Sequence, residues 1–167
     1  MEKMRLLLLE DVTSDAELVI HTLKRSGMDF NIVLTQNKDE FVNALDKQRY
    51  DVILADNNLP QFSAIEALAM IKKKRIDIPF ILVTGSISEE YAVEMMKQGT
   101  WDYILKDRLQ RLPNAILSAY HKYRLATENS KYMADVIANE ALLKEASRLA
   151  HFGSWETDIF NKKRALV

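Results

Sequence analysis

Two adjacent carboxylates, Glu10 and Asp11, a third at Asp56, a hydroxyl at Thr84 and an ammonium at Lys106 each close a short apolar run of the chain. Brought to one place, three carboxylates repel one another strongly unless a cation lies among them. With oxygen the only donor type and no His or Cys beside them, the ion that fits is hard, Mg²⁺ rather than zinc. A carboxylate held in such a pocket is also a nucleophile toward phosphorus, because forming an aspartyl phosphate needs a positioned carboxylate and neutralisation of the equatorial phosphoryl oxygens. Mg²⁺ and Lys106 would supply that neutralisation, and the Thr84 hydroxyl would hydrogen-bond a phosphoryl oxygen. Asp56, which follows the central run, is the natural acceptor.

These residues act together only if the runs before them are neighbouring strands. Five runs, Arg5 to Glu10, Asn31 to Thr35, Val52 to Ala55, Pro79 to Thr84 and Asp102 to Leu105, have the continuous apolar texture of strands buried on both faces. Helix-period segments separate them, each with a capping residue followed three positions later by Glu: Ser14 with Glu17, Asn37 with Glu40, Ser63 with Glu66, and Ser86 with Glu89. Gly27 and Gly99 stand where the first and fourth helices should stop. A strict βα alternation predicts an α/β domain with a doubly wound, five-stranded parallel sheet and right-handed crossovers. In open sheets of this kind ligands bind beyond the carboxyl ends of the strands, where Glu10, Asp11, Asp56, Thr84 and Lys106 all fall. Singly, each has an ordinary explanation: acids cap helices, and a strand-end threonine or a surface lysine is common. Their coincidence at one edge carries the weight.

The 167 residues carry 23 basic and 24 acidic side chains, a net charge of -1, so the balance lacks the cation excess that phosphate-backbone binding needs, and no direct nucleic-acid partner is expected. There are no cysteines, which excludes disulfides, thiolate metal sites and cysteine nucleophiles. The run Leu6 to Leu9 is too short to span a membrane, and the acids after it do not continue a signal peptide. The expected setting is soluble and cytoplasmic, without a membrane partner.

The predicted α/β domain covers residues 1–112. From Pro113 the texture is that of one long helix over 113–150 continuing the fifth helix of the domain. Ile116, Ala119, Tyr123, Ala126, Ser130, Met133 and Ile137 form a heptad seam that predicts a coiled-coil homodimer, and a break or stutter is expected after Ile137, where the stripe changes phase to Leu142, Leu143, Ala146 and Leu149. Residues 151–167 turn strand-like again, and a lone strand cannot fold by itself.

The strings Leu-Leu-Leu-Leu-Glu-Asp, Asp-Val-Ile-Leu-Ala-Asp-Asn-Asn-Leu-Pro, Ile-Leu-Val-Thr-Gly and Asp-Tyr-Ile-Leu-Lys-Asp resemble, in order and spacing, the four signature blocks of response-regulator receiver domains of two-component signalling. The resemblance implies a flavodoxin-like sheet of order 2-1-3-4-5 with a long C-terminal helix. It implies phosphorylation at Asp56, with Mg²⁺ held by Glu10, Asp11, Asp56 and the backbone carbonyl of Asn58, and phosphoryl contacts from Thr84 and Lys106. Thr84 and Tyr103 match the switch pair that repacks the face of the fourth helix, fifth strand and fifth helix, while Asn58 and Ser86 match positions that tune dephosphorylation. The implied phosphodonor is a histidine kinase or a phosphotransfer protein. Two departures stand out: Asp107 follows Lys106 where the family usually has proline after a cis bond, leaving the loop geometry there open, and Ala64 replaces a common glycine.

Ala146-Ser-Arg-Leu-Ala-His-Phe-Gly-Ser-Trp-Glu-Thr-Asp resembles the leading helix and first strand of a PAS sensory domain. The implied parent runs receiver, helical linker, PAS and output module, as in a hybrid sensor histidine kinase. Two rivals remain: a flavodoxin-like flavin-binding protein, disfavoured by acids where a phosphate loop should be, and a pseudo-receiver that dimerises without being phosphorylated, whose support is the altered Lys106-Asp107 junction.

Overall fold

The computed structural model describes the backbone of residues 3–86 and 88–164. Strands β1 (Met4–Leu9), β2 (Phe30–Thr35), β3 (Val52–Ala55), β4 (Phe80–Thr84) and β5 (Asp102–Leu105) alternate with helices α1 (Thr13–Arg25), α2 (Lys38–Lys47), α3 (Ala64–Lys73), α4 (Glu89–Lys97) and α5 (Leu112–Arg164), and a 3₁₀ segment, Lys106–Arg111, joins β5 to α5. All strand pairs are parallel, in the order β2-β1-β3-β4-β5. This is the expected doubly wound sheet with a long C-terminal helix. The backbone groups into two compact units, Met1–Tyr123 and Arg124–Val167.

Alternation along the strands divides the core between the two faces of the sheet. Leu7 and Leu9 of β1 join Ile53, Ala55, Phe80 and Leu82 beneath α2, α3 and α4, which contribute Phe41, Leu68 and Met95. Leu6 and Leu8 point the other way, with Val52, Leu54, Ile81 and Val83, against Val19 and Leu23 of α1 and Ile116 of α5. Both faces are covered, which explains why the strand runs are continuously apolar rather than alternating. In register, Leu9 lies beside Ala55 and Thr84 beside Leu105. Glu10 and Asp56 therefore leave the sheet side by side, and Lys106 leaves it next to Thr84.

Two of the four predicted caps form as expected. Asn37 accepts from the Glu40 N–H at 3.0 Å, and Ser63 makes a reciprocal capping box with Glu66, whose carboxyl is held below its ordinary pKa by hydrogen bonds from the Ser63 backbone and hydroxyl. The other two shift. Val12, not Ser14, precedes α1, and no side chain caps it. The Glu10 carboxylate takes the Val12 N–H at 3.1 Å, which turns the chain early and leaves Ser14 inside the first turn. Helix α4 is capped by Ser88, whose hydroxyl accepts from the Tyr91 N–H at 3.2 Å; Ser86 stays in the preceding loop because its carbonyl is engaged by Thr84.

Gly27 and Gly99 follow α1 and α4 at φ 75° and 95°, as helix-stopping residues do. The end of α3 uses the same left-handed geometry without a glycine: Arg75 has φ 56°, and the next N–H, of Ile76, reaches back to the Ile71 carbonyl at 2.9 Å. An L-residue with a Cβ is disfavoured there. We expect Arg75→Gly to raise stability by about 0.5–1 kcal/mol, read as a higher denaturation midpoint at unchanged slope. A lower midpoint would show that the arginine side chain contributes more than its backbone strain removes.

Helix α5 carries Pro113 in its first turn and continues without interruption to Arg164. The phase change after Ile137 therefore falls within an unbroken helix rather than at a break. The strand expected over 151–167 is not what the structure shows: residues 151–164 are helical, and 165–167 lie outside the described residues. A strand without a neighbour leaves its backbone groups unpaired, whereas a helix pairs them within the segment.

Candidate functional site

The acidic end of the sheet is organised around one ammonium. Lys106 Nζ lies 2.7 Å from Glu10 Oε2, 2.6 Å from Asp15 Oδ2 and 3.3 Å from Asp56 Oδ1. The first and third of these carboxylates are almost wholly buried, with side-chain exposures of 1% and 5%. Burial works against the charge on Lys106, but the carboxylates of Asp15, Glu10 and Asp56 outweigh it and lift its pKa above the ordinary value. Glu10 moves the opposite way for an acid: burial, followed by the charge of Asp56, outweighs the Lys106 contact and raises its pKa.

Asp56 is fixed at both ends. Its backbone N–H donates to the Leu9 carbonyl at 2.8 Å, tying it to β1. Its Oδ2 accepts from the Asn58 N–H at 3.0 Å, leaving Oδ1 toward Lys106. One oxygen each from Glu10, Asp11 and Asp56 lies within 4.8 Å of the other two. Buried Glu10 Oε2 and Asp56 Oδ1 have the Lys106 ammonium as their one partner among the described residues, and buried Asp11 Oδ1 has neither a hydrogen bond nor an ion pair there. A buried carboxylate oxygen with no donor is costly. An all-oxygen set with such an orphan fits a hard divalent cation such as Mg²⁺. Asp11 also borders an open cleft of about 480 Å³ lined by Asn37, Lys38, Leu59 and Gln61, so this member of the cluster faces solvent.

The structure thus brings Glu10, Asp11, Asp56 and Lys106 together. Thr84 is fully buried at the end of β4, with its hydroxyl donating to the Ser86 carbonyl at 3.0 Å. Tyr103 stands apart on β5, 38% exposed. Asn58 and Ser86 are both exposed in the loops after β3 and β4. No peptide bond among the described residues is cis, so Lys106 reaches the carboxylates across a trans bond to Asp107.

Asp15 was not among the residues expected at the site. It sits in the first turn of α1 and meets Lys106 from 91 positions away in sequence. Tyr91 was also missed. Its hydroxyl donates to Asn57 Oδ1, the residue after Asp56, from 34 positions away in sequence.

Residues 6–117 match the family model of the response regulator receiver domain. The chain is 32% identical over 126 residues to the luminescence regulatory protein LuxO of Vibrio campbellii, an overlap of 73% of this chain and 27% of that protein. It is 34% identical over 103 residues to the cell cycle transcriptional regulator CtrA of Caulobacter vibrioides, covering 62% of this chain and 44% of that one. The chain thus spans less than half the length of these curated relatives. The receiver domain of Francisella response regulator 1452 superposes with a TM-score of 0.64 over 72% of this chain and 98% of that one, at 23% identity, a likeness of fold.

Proposed function

The chain belongs to the response regulator receiver domain family, and from that premise we propose that it is a phosphoacceptor switch in which Asp56 takes a phosphoryl group with Mg²⁺ as cofactor. One observation carries the reading: three carboxylates and one ammonium meet at the sheet edge, and the buried Asp11 Oδ1 has no donor among the described residues. Glu10, Asp11, Asp56 and the Asn58 carbonyl would hold the ion, which when bound supplies charge neutralisation for the incoming phosphoryl oxygens. The Asn58 N–H keeps Asp56 Oδ2 engaged while Oδ1 attacks phosphorus; the new O–P bond forms as the bond to the donor's leaving group breaks, giving an acyl phosphate. Lys106, already 3.3 Å from Oδ1, stays beside the added charge.

Thr84 provides the two-state element. Its only hydroxyl proton is given to the Ser86 carbonyl, so donating it to a phosphoryl oxygen means leaving that carbonyl, and the vacated space is what Tyr103 would occupy in the switched state. Asn58 and Ser86, in the loops flanking the site, would tune how fast the group is lost. The phosphodonor would be a histidine kinase or phosphotransfer protein in a phosphorelay.

The exposed apolar residues of α5, Met133 and Ile137 at 64% and 63% among them, support a homodimer through a coiled coil over the linker, 113–150. The PAS resemblance of residues 146–158 supports a sensory domain from 151 onward and a hybrid sensor histidine kinase as parent, with α5 passing the change along. A cytoplasmic location fits this reading, and no described helix is long and apolar enough to cross a membrane.

The test is intact mass after incubation with a small-molecule phosphodonor. A single phosphoryl adduct is expected with Mg²⁺ and none after chelation. An adduct that forms equally without any divalent cation would remove the metal from the mechanism. No adduct under either condition would favour the pseudo-receiver, and a yellow purified protein the flavin reading.

A further inference from the structure

A line of hydrogen bonds runs from α4 to the phosphoacceptor. The Tyr91 hydroxyl donates to Asn57 Oδ1. The Asn57 amide then donates from Nδ2 to Asn58 Oδ1 at 3.2 Å, and the Asn58 backbone N–H donates to Asp56 Oδ2 at 3.0 Å. Both asparagine side chains are oriented by this order, because an amide whose oxygen is engaged can only donate from its other end. The start of the line is anchored twice. The Tyr91 ring packs on the core beneath α2, α3 and α4, and its backbone N–H is held by the Ser88 cap. Burial raises the pKa of the hydroxyl, so it remains a donor across the physiological range.

We infer that Tyr91 is a positioning residue for loss of the phosphoryl group: through Asn57 it holds the Asn58 carboxamide in one orientation beside Asp56, and so sets how readily water attacks the acyl phosphate. The inference rests on the phosphoacceptor reading and deepens it. In hydrolysis a water oxygen bonds to phosphorus as the bond from Asp56 to phosphorus breaks. The carboxylate is regenerated, inorganic phosphate leaves, and the proton released goes to solvent. An attacking water needs a fixed hydrogen-bond partner to lie in line, and an amide free to rotate loses much of that advantage. With Asn58 Oδ1 occupied by Asn57, the Asn58 amide hydrogens are the groups left to meet the water.

The experiment follows adduct decay by intact mass, after desalting away the donor at constant Mg²⁺, in the full chain. Tyr91→Phe keeps the ring in the core and removes only the hydroxyl; Asn57→Ala cuts the same line from the loop side. Each is expected to lengthen the adduct lifetime by about 3–10-fold. In an Asn58→Ala background, adding Tyr91→Phe should change the lifetime less than about twofold, because the group it orients is gone. A merely structural tyrosine would lower the melting temperature and alter decay equally in both backgrounds. Equal lifetimes in the unaltered and Tyr91→Phe chains, or an undiminished effect in the Asn58→Ala background, would overturn the inference. Absence of any adduct on the unaltered chain would instead overturn the phosphoacceptor reading itself, and the two failures are separated by which protein shows them.

Discussion

Asp56→Asn is expected to give no phosphoryl adduct at any donor concentration and, without a divalent cation, to be more stable than the unaltered chain. The first half follows from chemistry: an amide oxygen in the same place keeps the hydrogen bond from the Asn58 N–H, now 3.0 Å from Oδ2, but is no nucleophile toward phosphorus. The second half is decided by magnitudes. Asp56 is the most distant of the three carboxylates around Lys106, at 3.3 Å against 2.7 Å and 2.6 Å, so the ammonium loses its weakest partner. What is relieved is the repulsion that helps raise the pKa of Glu10, and the gain should be about 1 kcal/mol. Because the folded pKa of Glu10 lies above its unfolded value, the cost of keeping Glu10 ionised is greatest at neutral pH and disappears as pH falls through that raised value toward 4.5. The stabilisation by Asp56→Asn should fade over the same range. Urea unfolding at pH 7 and at pH 4.5, without Mg²⁺, reads both statements. A surviving adduct on the variant would move the acceptor elsewhere, and a destabilised variant would mean that Asp56 is held by attraction rather than tolerated against repulsion.

How much of this was legible in the sequence depends on the range of the interactions involved. The five strands and the convergence of Glu10, Asp11, Asp56 and Lys106 were legible because short apolar runs alternating with helices read as parallel strands, and the residue after such a strand must emerge at its carboxyl end; the strand order β2-β1-β3-β4-β5 came only with the resemblance to receiver domains. Caps made within three residues, at Asn37 and Ser63, were legible for the same local reason. Ser14 and Ser86 carry the same spacing and do not cap, because groups outside the pattern, the Glu10 carboxylate and the Thr84 hydroxyl, set the chain direction there. The left-handed turn at Arg75 left no trace, since the preceding lysines read as an ordinary helix end. Asp15 and Tyr91 reach partners 91 and 34 residues away through the packing of α1 and α4. Such contacts depend on side-chain direction in a first helical turn, which spacing alone does not encode. Residues 151–167 read as a strand through composition, yet 151–164 are helical, a conformation that pairs backbone groups within the segment itself.

The second large effect concerns Lys106, which the structure makes the counter-ion of Glu10, Asp15 and Asp56. Lys106→Met keeps most of the apolar stem, with the side chain only 16% exposed, and removes the charge that faces Glu10, Asp15 and Asp56. Two of those carboxylates are nearly inaccessible to water, so they are left as uncompensated buried charges, and a loss of about 2–4 kcal/mol is expected at pH 7 without divalent cations; the half-exposed Asp15, at 35%, keeps the figure from being higher. The deficit should shrink in two ways that a packing defect would not show. Mg²⁺ held as proposed would supply positive charge to Glu10 and Asp56, so millimolar Mg²⁺ should recover a large part of the loss. Lowering pH should also narrow the gap: with Lys106 absent Glu10 loses an interaction that lowers its pKa, so its folded value climbs further above 4.5, and the native state of the variant takes up a proton that the unfolded state does not. Phosphorylation with saturating Mg²⁺ should still be slower, since the ammonium 3.3 Å from Asp56 Oδ1 is no longer there to meet the added charge. Urea midpoints with and without Mg²⁺ at two pH values are sufficient. A loss indifferent to both would assign Lys106 to packing against α1, and the cluster would then need another explanation for three carboxylates sharing one end of the sheet.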